Sequence, residues 1–219
     1  SYNKAQALVE KNGWFYARQF ENPANADIHE STTGIEIVND FKDLGLDYWV
    51  SGYGTGGTFT GVSRILRKEM PETKLIITEP DVAPLIASGI EQKRSNDNSP
   101  SSSHPEWNPH PIQGWTTDFI PYVLQESIDN KYFDENIPVT GADGILWSKK
   151  LASKEGIITG VSGGSTFAVA MSVARDANKG SNILCMLADT AERYMSSILF
   201  EQIDPEMNEE EIKILDSVK

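Results

Sequence analysis

Apolar positions along the 219-residue chain change period several times, and each change marks an element. Ala5, Leu8 and Val9 make a short amphipathic helical stretch that Gly13 stops, and Trp14-Phe15-Tyr16-Ala17 reads as a strand. Residues 19–25 form a turn-rich connector. Beyond Asp27, Ile28, Ile35, Val38 and Phe41 recur near helical spacing, interrupted only at Thr32-Thr33-Gly34. The pattern then alternates. A strand over 47–50 runs into a glycine-rich turn and a helix over 58–68, followed by a strand over 74–79 that Pro80 closes. A helix over 141–154 leads to a strand at 157–159, a second glycine turn and a helix over 165–174. A buried strand over 181–187 and the start of a helix over 191–200 complete the series. Strands alternating with helices of roughly 10–15 residues imply βαβ units, hence an α/β fold with a mostly parallel sheet flanked by helices. Such folds place ligands beyond the carboxyl ends of the strands, where both glycine turns fall.

Two stretches leave that rhythm. Residues 95–111 (SNDNSPSSSHPEWNPHP) are rich in Ser, Asn and Pro and read as a long surface loop. Residues 204–219 read as an acidic terminal helix, with Glu209, Glu210 and Glu211 near its start and lysines near its end. That order complements the helix dipole, so it is read as a solvated face. No internal repeat is visible.

Composition narrows the function. Hydrophobic residues make up 39% of the chain, enough for a core, and the longest apolar run, 183–188, is far short of the roughly 20 residues of a membrane span. No secretory leader opens the sequence. A net charge of −13 repels phosphate backbones, which argues against nucleic-acid binding. The single cysteine, Cys185, cannot form an internal disulfide, which suits a reducing compartment such as the cytoplasm or an organelle interior. Inside ILCMLA it reads as a small buried hydrophobe.

Three segments carry candidate chemistry. Gly52-Tyr53-Gly54-Thr55-Gly56-Gly57 satisfies the G-x-G-x-x-G dinucleotide fingerprint, with Glu79 about 20 residues on as the ribose-binding acid. The rival is a monophosphate cup. In Gly54-Thr55-Gly56-Gly57-Thr58, backbone N–H groups at a helix start and two hydroxyls can satisfy several oxygens of one phosphate. A threonine on each side favours the cup, and a structural glycine turn is the bland alternative. Gly160-Val161-Ser162-Gly163-Gly164 satisfies the G-x-S-x-G nucleophile elbow. That hydrolase arrangement needs a later histidine, and His29, His104 and His110 all precede Ser162, so the segment reads as a second glycine turn against the ligand. The third segment, QFENPANADIHESTTG, reads by itself as a polar connector capped into a helix by Asn25 or Asp27.

Together, QFENPANADIHESTTG, GYGTGGTFTGV, PIQGW followed by DFIP, KEGIITGVSGGS and LADTAERYMSS resemble the C-terminal part of cysteine synthase (O-acetylserine sulfhydrylase). The motifs stand in order from about Lys4 to the acidic tail. The resemblance implies a pyridoxal 5'-phosphate-dependent β-replacement enzyme of the tryptophan synthase β-like (fold type II) architecture. Residues 1–25 would be the tail of a smaller N-terminal domain and 26–219 the large cofactor-phosphate-binding domain. It implies that Gly54, Thr55, Gly56, Gly57 and Thr58 hold the cofactor phosphate, in agreement with the monophosphate cup. It also implies that Gly114 lies beside the ring, that Gln19 lies near the substrate carboxylate, and that Thr190 offers its hydroxyl to the pyridine nitrogen. A neutral partner there leaves the ring a weaker electron sink, suited to β-elimination and replacement. Asp189 next door would do the opposite if it pointed at the ring. O-acetylserine and sulfide as substrates, and a homodimer, follow from the same resemblance.

Three positions depart from the family pattern. IQG continues as Trp115-Thr116-Thr117-Asp118, the second turn is VSGGS, and Ala191 stands where glycine is usual. The first two look like markers of a branch of the family; the third puts a methyl near a tight turn. The larger departure is that the Schiff-base lysine and the Ser-Gly-Asn-Thr-Gly loop of the family's N-terminal portion match nothing here. Lys42, Lys68, Lys149, Lys150 and Lys154 all read as solvated charges on polar helix faces. Without that lysine the site lacks its cofactor tether and its α-proton base. The chain is therefore expected to lack its N-terminal part and to be nearly inactive alone. Two readings stand: a portion of a cysteine synthase, or a non-catalytic cysteine-synthase-like structural or regulatory subunit of a larger assembly, with the acidic surface or the 95–111 loop as contact.

Overall fold

The computed structural model describes residues 2–204 and 206–218, without the side chains of Asn3 and Ala191. The expectation about the methyl of Ala191 thus falls outside the described residues. Four strands, β1 (Tyr48–Gly52), β2 (Lys74–Pro80), β3 (Glu135–Val139) and β4 (Ile183–Cys185), form one sheet in the order β3-β2-β1-β4. All three pairings are parallel, with Tyr48 opposite both Lys74 and Ile183 and with Pro80 opposite Val139.

Helices cover both faces, which is why β2 reads as the continuous apolar run LIIT rather than an alternation. Trp49, Leu75 and Ile77 point to one face and pack with Phe59, Val62 and Leu66 of α4 (Gly57–Glu69), Ile37 of α3 (Thr33–Phe41) and Leu124 of α5 (Tyr122–Asp129). Their neighbours Val50 and Ile76 point to the other face and meet Val161, Val169, Ala170 and Val173 of α7 (Val161–Asp176). α6 (Gly141–Lys150) packs against α7, and α2 (Ala24–Ser31) packs against α4.

Two expected strands are absent. Residues 14–17 follow α1 (Tyr2–Asn12) as irregular chain, with Trp14 60% and Phe15 91% exposed. Residues 157–159 are likewise unpaired. The helix over 141–154 ends in a π-helical turn, Leu151–Glu155, and Gly156 (φ +69°) then turns the chain so that Ile157 and Ile158 stay largely exposed. The helix expected over 191–200 is only a 3₁₀ turn, Ala191–Tyr194. The expected strand over 181–187 pairs over Ile183–Cys185 alone; Cys185 is half-buried, and burial pushes its thiol up to about 11. β3 was not legible because it is a sheet edge carrying Pro138, a position where a missing N–H costs nothing.

The loop between β2 and α5 is longer and better anchored than a surface loop. Arg94 donates to the carbonyl of Ile120 and to Gln125 Oε1, while Ser99, His104 and Ile112 are buried. Its return leg carries Gln113, Gly114 and Trp115 to the end of β1. The acidic terminal helix is present as α8 (Glu209–Ser217), with Asn208 and Glu211 forming a capping box and no residue buried. Among the described residues no helix is long and apolar enough to cross a membrane.

Candidate functional site

From β1 the chain crosses through α4 to β2 on one flank; β4, reached through α7 on the opposite face, lies on the other flank. The crossovers diverge at the carboxyl ends of β1 and β4, and an open α/β sheet has its crevice there. A cavity of about 160 Å³ occupies it, bounded by the β1–α4 turn, Gly114 and Trp115, the start of α7, and Met186 to Asp189 beyond β4.

The turn is shaped by two close approaches. Gly56 has φ +85°, and a Cβ there would come 2.6 Å from Leu124 Cβ; a Cβ on Gly54 would come 2.2 Å from the Gly114 carbonyl oxygen. On α4, Gly57 and Gly61 lie one turn apart on one face. A Cβ on Gly57 would meet Asn25 Oδ1 at 1.9 Å, and one on Gly61 would meet the Ala26 carbonyl at 2.2 Å. Only glycines let α2 lie this close. The crossing presses Asn25 and His29, also one turn apart, against the two threonines of the cup.

Asn25 Nδ2 donates to Thr55 Oγ1 at 2.9 Å and to the Gln19 carbonyl at 2.8 Å, and the Gly57 N–H donates to Thr55 Oγ1 at 3.2 Å. Both donors occupy lone pairs, so the Thr55 hydroxyl proton has no acceptor among the described residues, on a residue that lines the cavity. Thr58 Oγ1 lies 3.2 Å from His29 Nε2, and His29 Nδ1 lies 3.0 Å from Thr33 Oγ1. Burial holds the imidazole below its ordinary value, so the ring is neutral at pH 7. The first turn of the 13-residue α4 adds orphan N–H groups and the positive end of a helix dipole. Among the described residues no lysine or arginine lines the cavity. An anion seated here is held by neutral donors.

The other expected residues divide. Gly54, Thr55, Gly56, Thr58 and Gly114 line the cavity, and Gly57 stands behind them against Asn25. Gln19 is exposed and touches the cup only through its carbonyl. Thr190 is exposed, with its hydroxyl donated to Glu192, whereas Asp189 lines the cavity. The Asp189 carboxylate accepts from the Gly160 N–H at 3.2 Å and from the Tyr194 hydroxyl, which burial and that charge push up to about 12. The cap expected of Asn25 is not made, because Asn25 sits inside α2 and spends its amide on the cup. Asn25, His29 and Thr33 were missed as site residues; the one available signal was the four-residue spacing of Asn25 and His29, matching that of Gly57 and Gly61.

The two rival motifs are also resolved. Glu79 is 1% exposed, and its carboxylate accepts from Tyr53 Oη, Asn136 Nδ2 and the N–H groups of Ile86 and Ala87. It anchors the long loop and has no face left for a ribose. Ser162 lies in the first turn of α7, not on a strand-to-helix elbow, and among the described residues no histidine lines the cavity. The departure at Trp115 has a packing account: its ring fills the space where a Cβ on Gly52 would sit, 1.9 Å from Cζ2.

A family model described as "pyridoxal-phosphate dependent enzyme" matches residues 1–189. The chain belongs to that family. Among curated relatives, O-ureido-L-serine synthase of Streptomyces lavendulae is 44% identical over 91% of this chain and 56% of its own, and cysteine synthase of Staphylococcus aureus is 34% identical over 90% and 57%. A crystal structure of O-ureido-L-serine synthase superposes with a TM-score of 0.82 at 39% identity, over 97% of this chain and 61% of that one. Cysteine synthase from Entamoeba histolytica gives 0.76 at 28% identity, over 99% and 58%. The chain thus spans little more than half the length of the curated relatives it matches, and its fold is that of the pyridoxal-phosphate-dependent fold type II enzymes. The cofactor of the family fits the cavity: Gly54, Gly56 and Gly57 let the surrounding chain close tightly around the turn, where any Cβ would clash, and Thr55, which lines the cavity, has a hydroxyl proton with no acceptor among the described residues.

Proposed function

We propose that this chain is the cofactor-phosphate-binding portion of a β-replacement enzyme, a cysteine synthase that converts O-acetylserine and sulfide to cysteine and acetate. The observation that carries the reading is the cup at the switch point, where Thr55 has both acceptor positions filled by donors and only a proton left to give. The cysteine synthase relatives support sulfide as the nucleophile, and the O-ureido-L-serine synthase relative supports replacement at an activated serine more broadly. Bound in this cavity, pyridoxal phosphate supplies the electron sink for breaking the Cα–H and Cβ–O bonds of the amino acid. Gly54, Thr55, Gly56 and Thr58 hold its phosphate, with Gly57 seating α4 behind them. Gly114 leaves room for the ring, and the Trp115 side chain closes one wall to water. Thr190 serves the pyridine nitrogen once its hydroxyl turns from Glu192, and Gln19 reaches toward the substrate carboxylate from the rim. Homodimerisation belongs to the same reading, and sedimentation checks it.

A non-catalytic subunit is the second reading; among the described residues no lysine lines the cavity. Binding tests the cofactor part: pyridoxal phosphate should bind and be displaced by inorganic phosphate, while pyridoxal should not bind. Sulfide-dependent cysteine formation from O-acetylserine by the full protein tests the reaction part. Cofactor binding without acetate release would overturn it in favour of the non-catalytic subunit.

A further inference from the structure

The two threonines of the cup differ in how firmly their protons are directed. Thr55 has no choice, because Asn25 Nδ2 and the Gly57 N–H can only donate. Thr58 faces a histidine nitrogen that can do either. Two hydrogen arrangements satisfy both contacts of His29. In one, Thr33 donates to Nδ1 and the Nε2–H donates to Thr58, whose own proton is then free for the cavity. In the other, the Nδ1–H donates to Thr33, and Thr58 spends its proton on Nε2. The second arrangement turns only lone pairs toward the cavity, which repels an anion.

We infer that His29, backed by Thr33, is a positioning residue that an anion in the cup locks into the Nε2–H tautomer, so that Thr58 becomes a second hydroxyl donor to the cofactor phosphate. The inference rests on the phosphate-cup reading of this cavity. The other two histidines provide fixed references. His104 Nε2 donates to the Ile90 carbonyl while its Nδ1 accepts from the Glu106 N–H, and His110 Nε2 donates to the Thr116 carbonyl. Both are Nε2–H whatever the cup contains. Of the three histidines, His29 alone has an open tautomer.

The test uses the chain with ¹⁵N-labelled histidine and inorganic phosphate as the probe. Adding phosphate should drive the His29 ring nitrogens fully to the Nε2–H pattern and leave His104 and His110 unchanged. In Thr58→Val, phosphate should no longer move the His29 signals. His29→Leu should weaken phosphate binding about threefold, the scale of one neutral hydrogen bond, because Thr58 keeps its proton and loses only the N–H that holds the hydroxyl in place. His29→Gln, whose amide can donate to Thr58, should restore most of the loss. His29 in the Nδ1–H form with phosphate bound, or phosphate affinity unchanged in His29→Leu, would overturn the inference while leaving the cup intact. Failure of phosphate to bind the unaltered chain would overturn both. Should His29→Leu fail to fold, the ring spectra of the unaltered chain still decide.

Discussion

Two glycine-bearing junctions into helices, those of α4 and α7, use glycine for different ends. At the start of α4, Gly56 and Gly57 shape a cup on the wall of a cavity, and the helix beside it supplies the hydrogen-bond partners of its hydroxyls, Asn25 and His29. At the start of α7, the glycines serve packing. A Cβ on Gly164 would meet Ser148 Oγ at 2.1 Å and the Gly144 carbonyl at 2.2 Å. The hydroxyls there fold back on the backbone, Ser165 to Val161, Thr166 to Ser162 and Ser148 to both Gly144 and Gly160. A glycine motif reports only that backbones come close. Whether a ligand or another helix occupies the space is decided by where the neighbouring protons go.

Alanine substitutions break the comparison most forcefully. Gly57→Ala drives a methyl into Asn25, and Gly164→Ala drives one into α6. Each should cost about 1–3 kcal/mol of stability as overpacking, measured by denaturant melts. They should separate in phosphate titrations: Gly57→Ala abolishes binding even where the protein is folded, and folded Gly164→Ala binds as the unaltered chain does. Equal loss of affinity in both would erase the functional distinction between the junctions.

That distinction was only half legible in the sequence. The alternating elements of the sheet could be read from the periodicity, and the glycine turn at Gly54 to Thr58 from its composition, because helix starts and small residues have local signatures. The partners of the cup could not. Asn25 and His29 look like polar positions on a connector helix, and their role exists only because Gly57 and Gly61 let that helix approach. The strands expected at 14–17 and 157–159 failed for the complementary reason: β-branched and aromatic residues set a propensity, but a strand needs a neighbour, and none is present among the described residues.

Hydroxyl deletions act on a finer scale. Thr55→Val removes a hydroxyl donor on the cavity wall and should weaken phosphate binding about tenfold, because the lost bond is to a charged ligand; it also strips the acceptor from Asn25 Nδ2 and the Gly57 N–H and should cost about 1–3 kcal/mol of stability. Ser165→Ala removes a hydroxyl that bonds only to Val161 within α7. It should leave phosphate affinity unaltered and shift stability by at most about 1 kcal/mol. Calorimetric titration of the two variants side by side distinguishes a cup from a turn.

Tyr194→Phe probes the second junction alone. Its hydroxyl and the Gly160 N–H together hold Asp189 at the far side of the cavity. Losing it should cost about 0.5–1.5 kcal/mol and leave phosphate affinity intact, since the cup lies at the other end. A fall in affinity would show that the two junctions are coupled through the cavity.

The smallest effect is in pH, and it should appear at the first junction only. His29 is buried and its folded value lies below the ordinary 6.5, so between those values the unfolded chain binds more protons than the folded one. Stability contributed by the neutral ring is therefore complete above 6.5 and declines as pH falls below it. Arg64 holds Glu126 below its ordinary 4.5, so this ion pair persists at pH 5 and keeps α4 and α5 joined while His29 titrates. Amide exchange in phosphate-free buffer should then show protection in α2 and at the start of α4 dropping between pH 7 and pH 5, once the intrinsic rates are corrected for pH. Protection in α6 and α7 should stay level, because Tyr194 titrates near 12 and no histidine lies in those helices. A parallel fall in both regions would assign the effect to global unfolding and remove His29 as its source.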